Sequence, residues 1–217
     1  MEYGKVLPHE FKHVPFWAKK DLESNPFRHV NLHPGDVVMD CGAHVGMFAA
    51  AALEQDAGSV WCYEPVPKNL ERLRANLECY GSRAVVVARA LTGAAVETVR
   101  MNLSGFDGAH QLTVLAESMG KPPVRKTVEV KAVTFRSRLL KRQPDVVKLD
   151  VEGAEYEILA SLRTGDLTGV RCLFVEFHPT ADRDQKIAAA GQFIEAEGLV
   201  VVNDRRRAFT AVRKGGA

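Results

Sequence analysis

The sequence lacks the marks of several common protein classes. Its four cysteines form no CxxC pair, so zinc-finger and thioredoxin-type sites have no support. The 29 Lys and Arg residues are offset by 27 Asp and Glu residues, and a net charge of +2 lacks the basic excess of a dedicated nucleic-acid-binding protein. We therefore expect no nucleic-acid partner, and we expect the thiols of Cys41, Cys62, Cys79 and Cys172 to be reduced.

Long apolar segments are also missing. The longest run without Asp, Glu, Lys or Arg extends from Cys41 to Leu53, which is shorter than the about 20 residues of a membrane-spanning helix. The N-terminal residues carry charges throughout, unlike a secretory signal peptide. These absences predict a cytoplasmic protein with no membrane partner. The 217 residues, 46% hydrophobic and 26% charged, have the size and composition of one globular domain.

Short β-rich runs alternate with helical patterns along most of the chain. The predicted strands cover residues 36–40, 60–63, 84–90, 96–103, 128–135, 146–150, 172–177, 199–202 and 208–212, and the predicted helices cover 47–55, 67–80, 134–142, 154–162 and 184–196. Such alternation predicts an α/β fold with a doubly wound parallel sheet and helices on both faces. Only five residues separate the last two strands, too few for a parallel crossover, so these strands must be antiparallel.

Two parts of the predicted single domain, residues 1–217, lie outside the regular alternation. Residues 1–30 form an N-terminal extension, and residues 92–131 form inserted strands and a loop that we expect near the acceptor site. The segment 104–111 contains two glycines, and Phe106, His110 and Gln111 could contact an acceptor. A long loop is often functional or mobile, so this segment is either a substrate lid or a plain surface loop.

A glycine-rich turn with the sequence DCGAHVG follows the first predicted strand, over residues 40–46. Gly42 and Gly46 allow a sharp turn and the close approach of a ligand, and the carboxyl ends of such strands are where ligands bind. The spacing DxGxxxG departs from the GxGxxG dinucleotide fingerprint. Asp40 would also be poorly placed beside a pyrophosphate, and it suits a ligand with an amine or a positive charge.

Glu64 ends the second predicted strand, and Pro67 is suited to the first turn of the helix that follows. A carboxylate at this position accepts hydrogen bonds from the ribose hydroxyls of an adenosine. Asp40 and Glu64 together fit a nucleoside with a charged amino-acid tail and no pyrophosphate. S-adenosylmethionine is the common molecule of that description, and we expect it as the cofactor.

Four segments of the chain carry a family resemblance: VVMDCGAHVGMFA at 37–49, YEPVPKNLERLRANL at 63–77, VVKLDVEGAEYEILASL at 146–162 and LFVEFHP at 173–179. They resemble the FkbM-type S-adenosylmethionine-dependent methyltransferases. The resemblance implies a class I methyltransferase (Rossmann-like) fold with strand order 3-2-1-4-5-7-6 and an antiparallel terminal strand. It also implies that the cofactor half contains Asp40, Gly42, Ala43, Gly46, Glu64, Pro65 and Asn69. To these we add His44 in the same turn, Ala90 at the end of the third predicted strand, and Asp150.

A second group of polar residues follows the strand at 146–150. Lys148 and Asp150 share one side of that strand, with Glu152 just beyond it, and buried charges are costly unless paired. Asp150 is expected to face the methyl donor and acceptor, while Lys148 steers or deprotonates a hydroxyl. The alternative is a structural ion pair that caps the next helix, and this alternative applies most to Glu155.

Glu176 and His178 share one side at the end of the next strand of the sheet. Histidine suits general-base chemistry near neutral pH, and a carboxylate such as Glu176 can fix its tautomer. The predicted catalytic residues are therefore Lys148, Asp150, Glu176 and His178. A divalent metal held by Asp150, Glu176 and His178 is the alternative use, and no metal is predicted.

The functional prediction is O-methylation of a hydroxyl on a small molecule, such as a natural product or a sugar. The alternatives are N-methylation of a small molecule and a nicotinamide-dependent oxidoreductase on a Rossmann sheet. The expected partner is a small-molecule acceptor, and a homodimer is left open. Methyl transfer needs no covalent nucleophile, so Cys41 is expected to serve packing.

Overall fold

The computed structural model describes residues 27, 29–103, 111–112, 126–180, 182–205 and 208–213. Most of the predicted N-terminal extension lies outside these residues, as do Phe106 and His110 of the predicted lid. The strands are β1 (Val37–Cys41), β2 (Ser59–Tyr63), β3 (Ala84–Val87), β4 (Ala90–Thr92), β5 (Thr98–Asn102), β6 (Gln111–Leu112), β7 (Thr127–Thr134), β8 (Val146–Leu149), β9 (Cys172–Glu176), β10 (Leu199–Arg205) and β11 (Ala208–Arg213). The α-helices are α1 (Met47–Glu54), α2 (Pro67–Leu77), α3 (Phe135–Arg142), α4 (Glu155–Ala160) and α5 (Arg183–Ala196).

Seven strands form the main sheet, in the order β3-β2-β1-β8-β9-β11-β10. Strands β3, β2, β1, β8 and β9 are parallel, whereas β11 is antiparallel to both β9 and β10. Numbered along the chain, the seven strands have the order 3-2-1-4-5-7-6. The predicted fold class, with its antiparallel terminal strand, is confirmed.

Side chains of the central strands alternate between two core layers, because successive residues of a strand point to opposite faces. Val38 and Val60 pack in one layer with α1 and α2. Met39 and Val147 pack in the other with α3, α4 and α5. Helices therefore cover both faces of the sheet, as predicted. None of the described helices is long and apolar enough to cross a membrane.

Some predicted boundaries are wrong at the end of β3. The third strand was expected to continue to Ala90, but it ends at Val87, where the Arg89 N–H donates to the Val87 carbonyl over 2.9 Å. This three-residue γ-turn redirects the chain. Ala90 then begins β4, which pairs with β7 in a second sheet of order β4-β7-β5-β6.

The predicted hairpin loop at 203–207 is also too long, because β10 continues through residue 205. A register shift between Val201 and Asn203 lets the extended strand keep its pairing with β11. The predicted helix at 67–80 ends at Leu77, and a 3-10 segment, Glu78–Arg83, leads into β3.

The second sheet packs beside the segment that follows β2. Its small core contains Val66, Ala90, Met101 and Val130. Val66 is two residues beyond Glu64, so this sheet lies next to the predicted ribose-binding position.

Candidate active site

The glycine turn after β1 joins three strands of the main sheet. Gly42 has a φ of +83°, and a Cβ there would lie 1.7 Å from the Asp150 carbonyl oxygen. The Gly42 and Ala43 N–H groups both donate to the Tyr63 carbonyl at 3.0 Å. The turn is therefore fixed against the ends of β2 and β8, and only glycine fits at position 42.

Glu64 lies buried beneath this turn, with 4% of its surface exposed. One carboxylate oxygen accepts the His44 N–H at 2.9 Å. The other accepts the Val66 N–H at 2.8 Å and the Asn69 Nδ2 amide at 3.3 Å. Burial raises the pKa of Glu64 to about 7 in spite of these hydrogen bonds. The Glu64 carboxylate is therefore held by backbone N–H groups of two segments, the glycine turn at His44 and the start of α2 at Val66.

The Glu64 region fits a ligand that carries hydroxyl donors. Within the described part of the chain, the buried Asn69 Oδ1 has no hydrogen-bond partner. A buried acceptor without a donor is costly, and a ribose hydroxyl would satisfy it. The Glu64 oxygen that accepts only the His44 N–H can also accept a further hydrogen bond. These residues suit the ribose of S-adenosylmethionine.

Asp40 is fully buried and faces a lysine of its own chain. In the parallel pairing of β1 with β8, Asp40 lies directly opposite Lys148. The Lys148 Nζ lies 3.2 Å from Asp40 Oδ1 and 3.2 Å from Asp150 Oδ2, and it donates to the Gly42 carbonyl at 2.8 Å. The positive charge that Asp40 was expected to find in a ligand is thus supplied in this structure by Lys148.

The protonation state of Lys148 follows from these partners. Burial alone would lower its pKa, but the carboxylates of Asp40 and Asp150 together raise it well above the ordinary value. Lys148 is therefore a cation at neutral pH. A cation of this kind can steer an acceptor or hold Asp150 in place, but it cannot remove a proton.

His178 lies among carboxylates at the ends of β8 and β9. Its Nδ1 is 2.9 Å from Glu155 Oε1, and its Nε2 is 3.2 Å from Glu152 Oε2 and 4.0 Å from Asp150 Oδ1. The Tyr156 hydroxyl donates to the His178 carbonyl at 2.6 Å. The sites predicted after β8 and after β9 therefore converge on one cluster.

The carboxylate that orients the His178 ring differs from the predicted one. Glu176 was expected to fix the tautomer, but the carboxylate within hydrogen-bond distance of Nδ1 is Glu155. The same Glu155 oxygen accepts the Val151 and Gly153 N–H groups at 3.0 and 3.1 Å. Glu155 is fully buried, and its side chain binds His178 and the turn before α4, whereas within the described residues the N-terminus of α4 has no side-chain cap.

This cluster shifts the pKa of its members in ways that bear on catalysis. Burial would lower the pKa of His178, but the hydrogen bond to Glu155 and the charges of Glu155, Glu152 and Asp150 raise it to about 10. Burial raises the pKa of Glu152 to about 8 and that of Glu176 to about 7. His178 is thus protonated at neutral pH, whereas Glu176 can gain and lose a proton there.

The structure brings most predicted site residues to one edge of the main sheet, grouped around the Gly42–Asp150 contact. Ala90 is an exception, since it packs in the core of the second sheet. The sequence placed Glu152 beside this group but assigned it no role, and its backbone has a φ of +59° in the turn before Gly153. Gly153 signals that turn, but the sequence does not show that Glu152 adopts a left-handed backbone conformation. Cys41 is buried, and burial raises the pKa of its thiol well above the ordinary value, in line with a packing role.

Sequence comparisons with known proteins match this chain to methyltransferases. The model of the methyltransferase FkbM domain family matches residues 40–209. The 31-O-demethyl-FK506 methyltransferase FkbM of Streptomyces tacrolimicus is 27% identical, over 83% of this chain and 78% of its own length. The hexuronic acid methyltransferase AglP of Haloferax volcanii is 26% identical, over 68% of this chain and 58% of its own.

Among solved structures, the precorrin-6y C5,15-methyltransferase of Geobacter metallireducens has a TM-score of 0.47 at 15% identity, with 89% of this chain and 88% of that chain covered. The family model spans both the glycine turn after β1 and the cluster after β9. The chain therefore belongs to the FkbM family of methyltransferases.

Proposed function

We propose that the chain binds S-adenosylmethionine at the edge formed by the glycine turn and Glu64. The support is the set of contacts around Glu64, which offers carboxylate oxygens and the unpaired Asn69 Oδ1 to ribose hydroxyls. Asp40, Gly42, Ala43, His44, Gly46 and Pro65 would complete the cofactor side. When bound, S-adenosylmethionine supplies a methyl group on a sulfonium sulfur, and transfer breaks the carbon–sulfur bond with its electron pair left on sulfur.

We infer that the acceptor is a hydroxyl of a small molecule. The single observation that carries this is the cluster after β8 and β9, which combines a proton-accepting carboxylate with fixed cations beside the cofactor turn. Removal of a hydroxyl proton is the only acid–base step that O-methylation requires. The printed names of two relatives, a 31-O-demethyl-FK506 methyltransferase and a hexuronic acid methyltransferase, support an oxygen-rich acceptor.

Glu176 is the proposed general base. Its pKa of about 7 is close to neutral, which is where a general base is most effective. Lys148 and His178 are both cations at neutral pH and are positioning residues in this scheme. Lys148 holds Asp150 toward the acceptor, and His178 holds Glu152.

The test uses S-adenosylmethionine with a radiolabelled methyl group and matched acceptors that differ only in carrying a hydroxyl or an amine. We expect label on the hydroxyl compounds, and we expect Glu176→Gln to lower kcat with little change in cofactor affinity. Label confined to the amines would replace O-methylation by N-methylation. Binding of NADH in place of S-adenosylmethionine would overturn the cofactor assignment.

A further inference from the structure

We propose that Asp150, Glu152 and His178 bind a divalent metal cation. One ligand atom from each of the three side chains lies within 4.8 Å of the other two. His178 Nε2 is 3.2 Å from Glu152 Oε2 and 4.0 Å from Asp150 Oδ1. In octahedral geometry with bonds of about 2.1 Å, neighbouring ligand atoms are about 3 Å apart and opposite ones about 4.2 Å. Only small side-chain movements separate this arrangement from a metal site.

Glu155 provides an observation outside the three ligands. It is fully buried, and its Oε1 lies 2.9 Å from His178 Nδ1. Metal binding would release the Nε2 proton of His178, and the buried Glu155 carboxylate would then keep the remaining proton on Nδ1, with the lone pair of Nε2 directed toward Asp150 and Glu152. Metal-binding histidines commonly have such a carboxylate behind the ring, where it fixes the tautomer and raises the basicity of the ligand.

Glu155 also orients the loop that carries the second ligand. Its Oε1 accepts the Val151 and Gly153 N–H groups, which flank Glu152 in the chain. The left-handed backbone of Glu152, with a φ of +59°, is thereby held in place and points its side chain toward His178. One buried carboxylate thus positions two of the three proposed ligands.

The charge at this edge also favours a cation. Among the described residues, five carboxyl groups converge here with the basic side chains of Lys148 and His178: Asp40, Asp150, Glu152, Glu155 and Glu176. Burial and the repulsion between neighbouring carboxylates favour the protonated form of such groups. A divalent cation would take the place of the protons held by Glu152 and His178 and would offset the negative charge of the ionised carboxylates.

The donor set selects the kind of metal. Two carboxylate oxygens and one imidazole nitrogen suit Mn²⁺ better than Mg²⁺, which favours oxygen ligands and retained water, or Cu⁺, which favours sulfur. The three side chains would leave coordination positions open. The sequence had suggested Glu176 as the third ligand, but the structure groups Glu152 with Asp150 and His178.

The role of the cation rests on the proposed function. A hydroxyl bound at an open position would have a lower pKa, because the cation stabilises the alkoxide. Its proton would pass to Glu176, and the freed oxygen pair would form the new oxygen–carbon bond as the carbon–sulfur bond breaks. The metal would then be a requirement for acceptor activation and not for cofactor binding.

The test measures binding of Mn²⁺ alone to the full chain after treatment with EDTA and dialysis, by calorimetry and by loss of the free Mn²⁺ electron paramagnetic resonance signal. We expect one Mn²⁺ per chain. We expect Glu152→Gln and His178→Ala each to weaken binding at least about tenfold. The control Glu71→Gln removes one exposed carboxylate on α2 and should bind as the wild type does.

Absence of stoichiometric Mn²⁺ binding to the folded wild-type chain would overturn the proposal, as would unchanged affinity in Glu152→Gln. Thermal unfolding checks that each variant is folded, and Glu152→Gln carries the test if His178→Ala unfolds. A separate titration of S-adenosylmethionine in EDTA tests the proposed function. Loss of cofactor binding with Mn²⁺ binding kept would contradict the function and not the metal site.

Discussion

The two sides of the active-site edge are built on different principles. On the β1–β2 side, Glu64 is held by backbone N–H groups and one amide, and the decisive element is a glycine at position 42. On the β8–β9 side, side chains hold side chains: Lys148 is bound to two aspartates, and His178 lies among three carboxylates.

The difference separates shape from charge. Backbone hydrogen bonds and the close contact at Gly42 set the shape of the first side, so it is suited to hold a cofactor in one position. The second side depends on protonation states that change near neutral pH, so it is suited to move a proton. Variants that change the backbone packing and variants that change the ionisable groups should therefore differ in their effects on stability and on its dependence on pH.

The largest expected effect comes from Gly42→Ala. The added Cβ would overlap the Asp150 carbonyl, and the φ of +83° is unfavourable for alanine. The glycine turn could then no longer pack against the end of β8. We expect a loss of at least about 4 kcal/mol in the free energy of unfolding, measured by denaturant titration.

Two other glycines serve as controls for Gly42→Ala. Gly81 also has a positive φ but has nothing within 4 Å, so Gly81→Ala should cost only the backbone strain of about 1–3 kcal/mol. Gly169 has neither constraint, and Gly169→Ala should change stability by less than about 0.5 kcal/mol. Equal losses at positions 42 and 81 would contradict the close packing of the turn against β8.

The next largest effect is expected from Lys148→Met, which breaks the ion pair with Asp40 but keeps the side-chain length. Asp40 is fully buried, so it would be left without its cation. Loss of one partner of a buried pair costs about 3–5 kcal/mol. The double variant Lys148→Met/Asp40→Asn should recover part of this loss. No recovery in a double-mutant cycle would show that the two groups are not coupled.

A smaller effect is the dependence of stability on pH. His178 has a folded pKa of about 10 against an ordinary 6.5, so its contribution is present below pH 6.5 and is lost as the pH rises toward 10. The raised pKa values of Glu152 and Glu176 act in the same direction between pH 4.5 and about 8. We expect denaturant titrations in EDTA to show falling stability between pH 6.5 and 9.

The variant His178→Gln separates these contributions. It removes the histidine titration and leaves Glu64 in place on the other side of the edge. Between pH 9 and 10, where the carboxyl groups are almost fully ionised and His178 still titrates, the variant should lose less stability than the wild type. An identical slope in both proteins would show that the pKa of His178 is not raised.

The sequence predicted the β1–β2 side of the active-site edge better than the β8–β9 side. The strands, the terminal hairpin and the place of Glu64 follow from local periodicity and turn residues, which are properties of short segments, whereas the strand order was implied by the family resemblance. The Asp40–Lys148 pair depends on the register between β1 and β8, which local patterns do not fix. The contacts of Glu155 with His178 depend on the backbone conformation at Glu152, and a residue with positive φ other than glycine is rarely foreseeable.

The second sheet was anticipated only as inserted strands near the acceptor site. Its formation depends on the turn at Val87–Arg89, which places Ala90 beside Val66 in a separate small core. The segment 84–90 gave no clear sign of that turn, because it contains none of the residues Gly, Pro, Asn, Asp or Ser that usually mark one.

The central claim is that the β1–β2 side binds S-adenosylmethionine through Glu64. Calorimetric titration of the cofactor into the wild type, Glu64→Gln and the surface control Glu71→Gln tests it most directly. We predict one cofactor per chain for the wild type and the control, and binding at least about tenfold weaker for Glu64→Gln, which loses a charged hydrogen-bond acceptor. Equal affinity in all three proteins, or no binding to the folded wild type, would contradict the account.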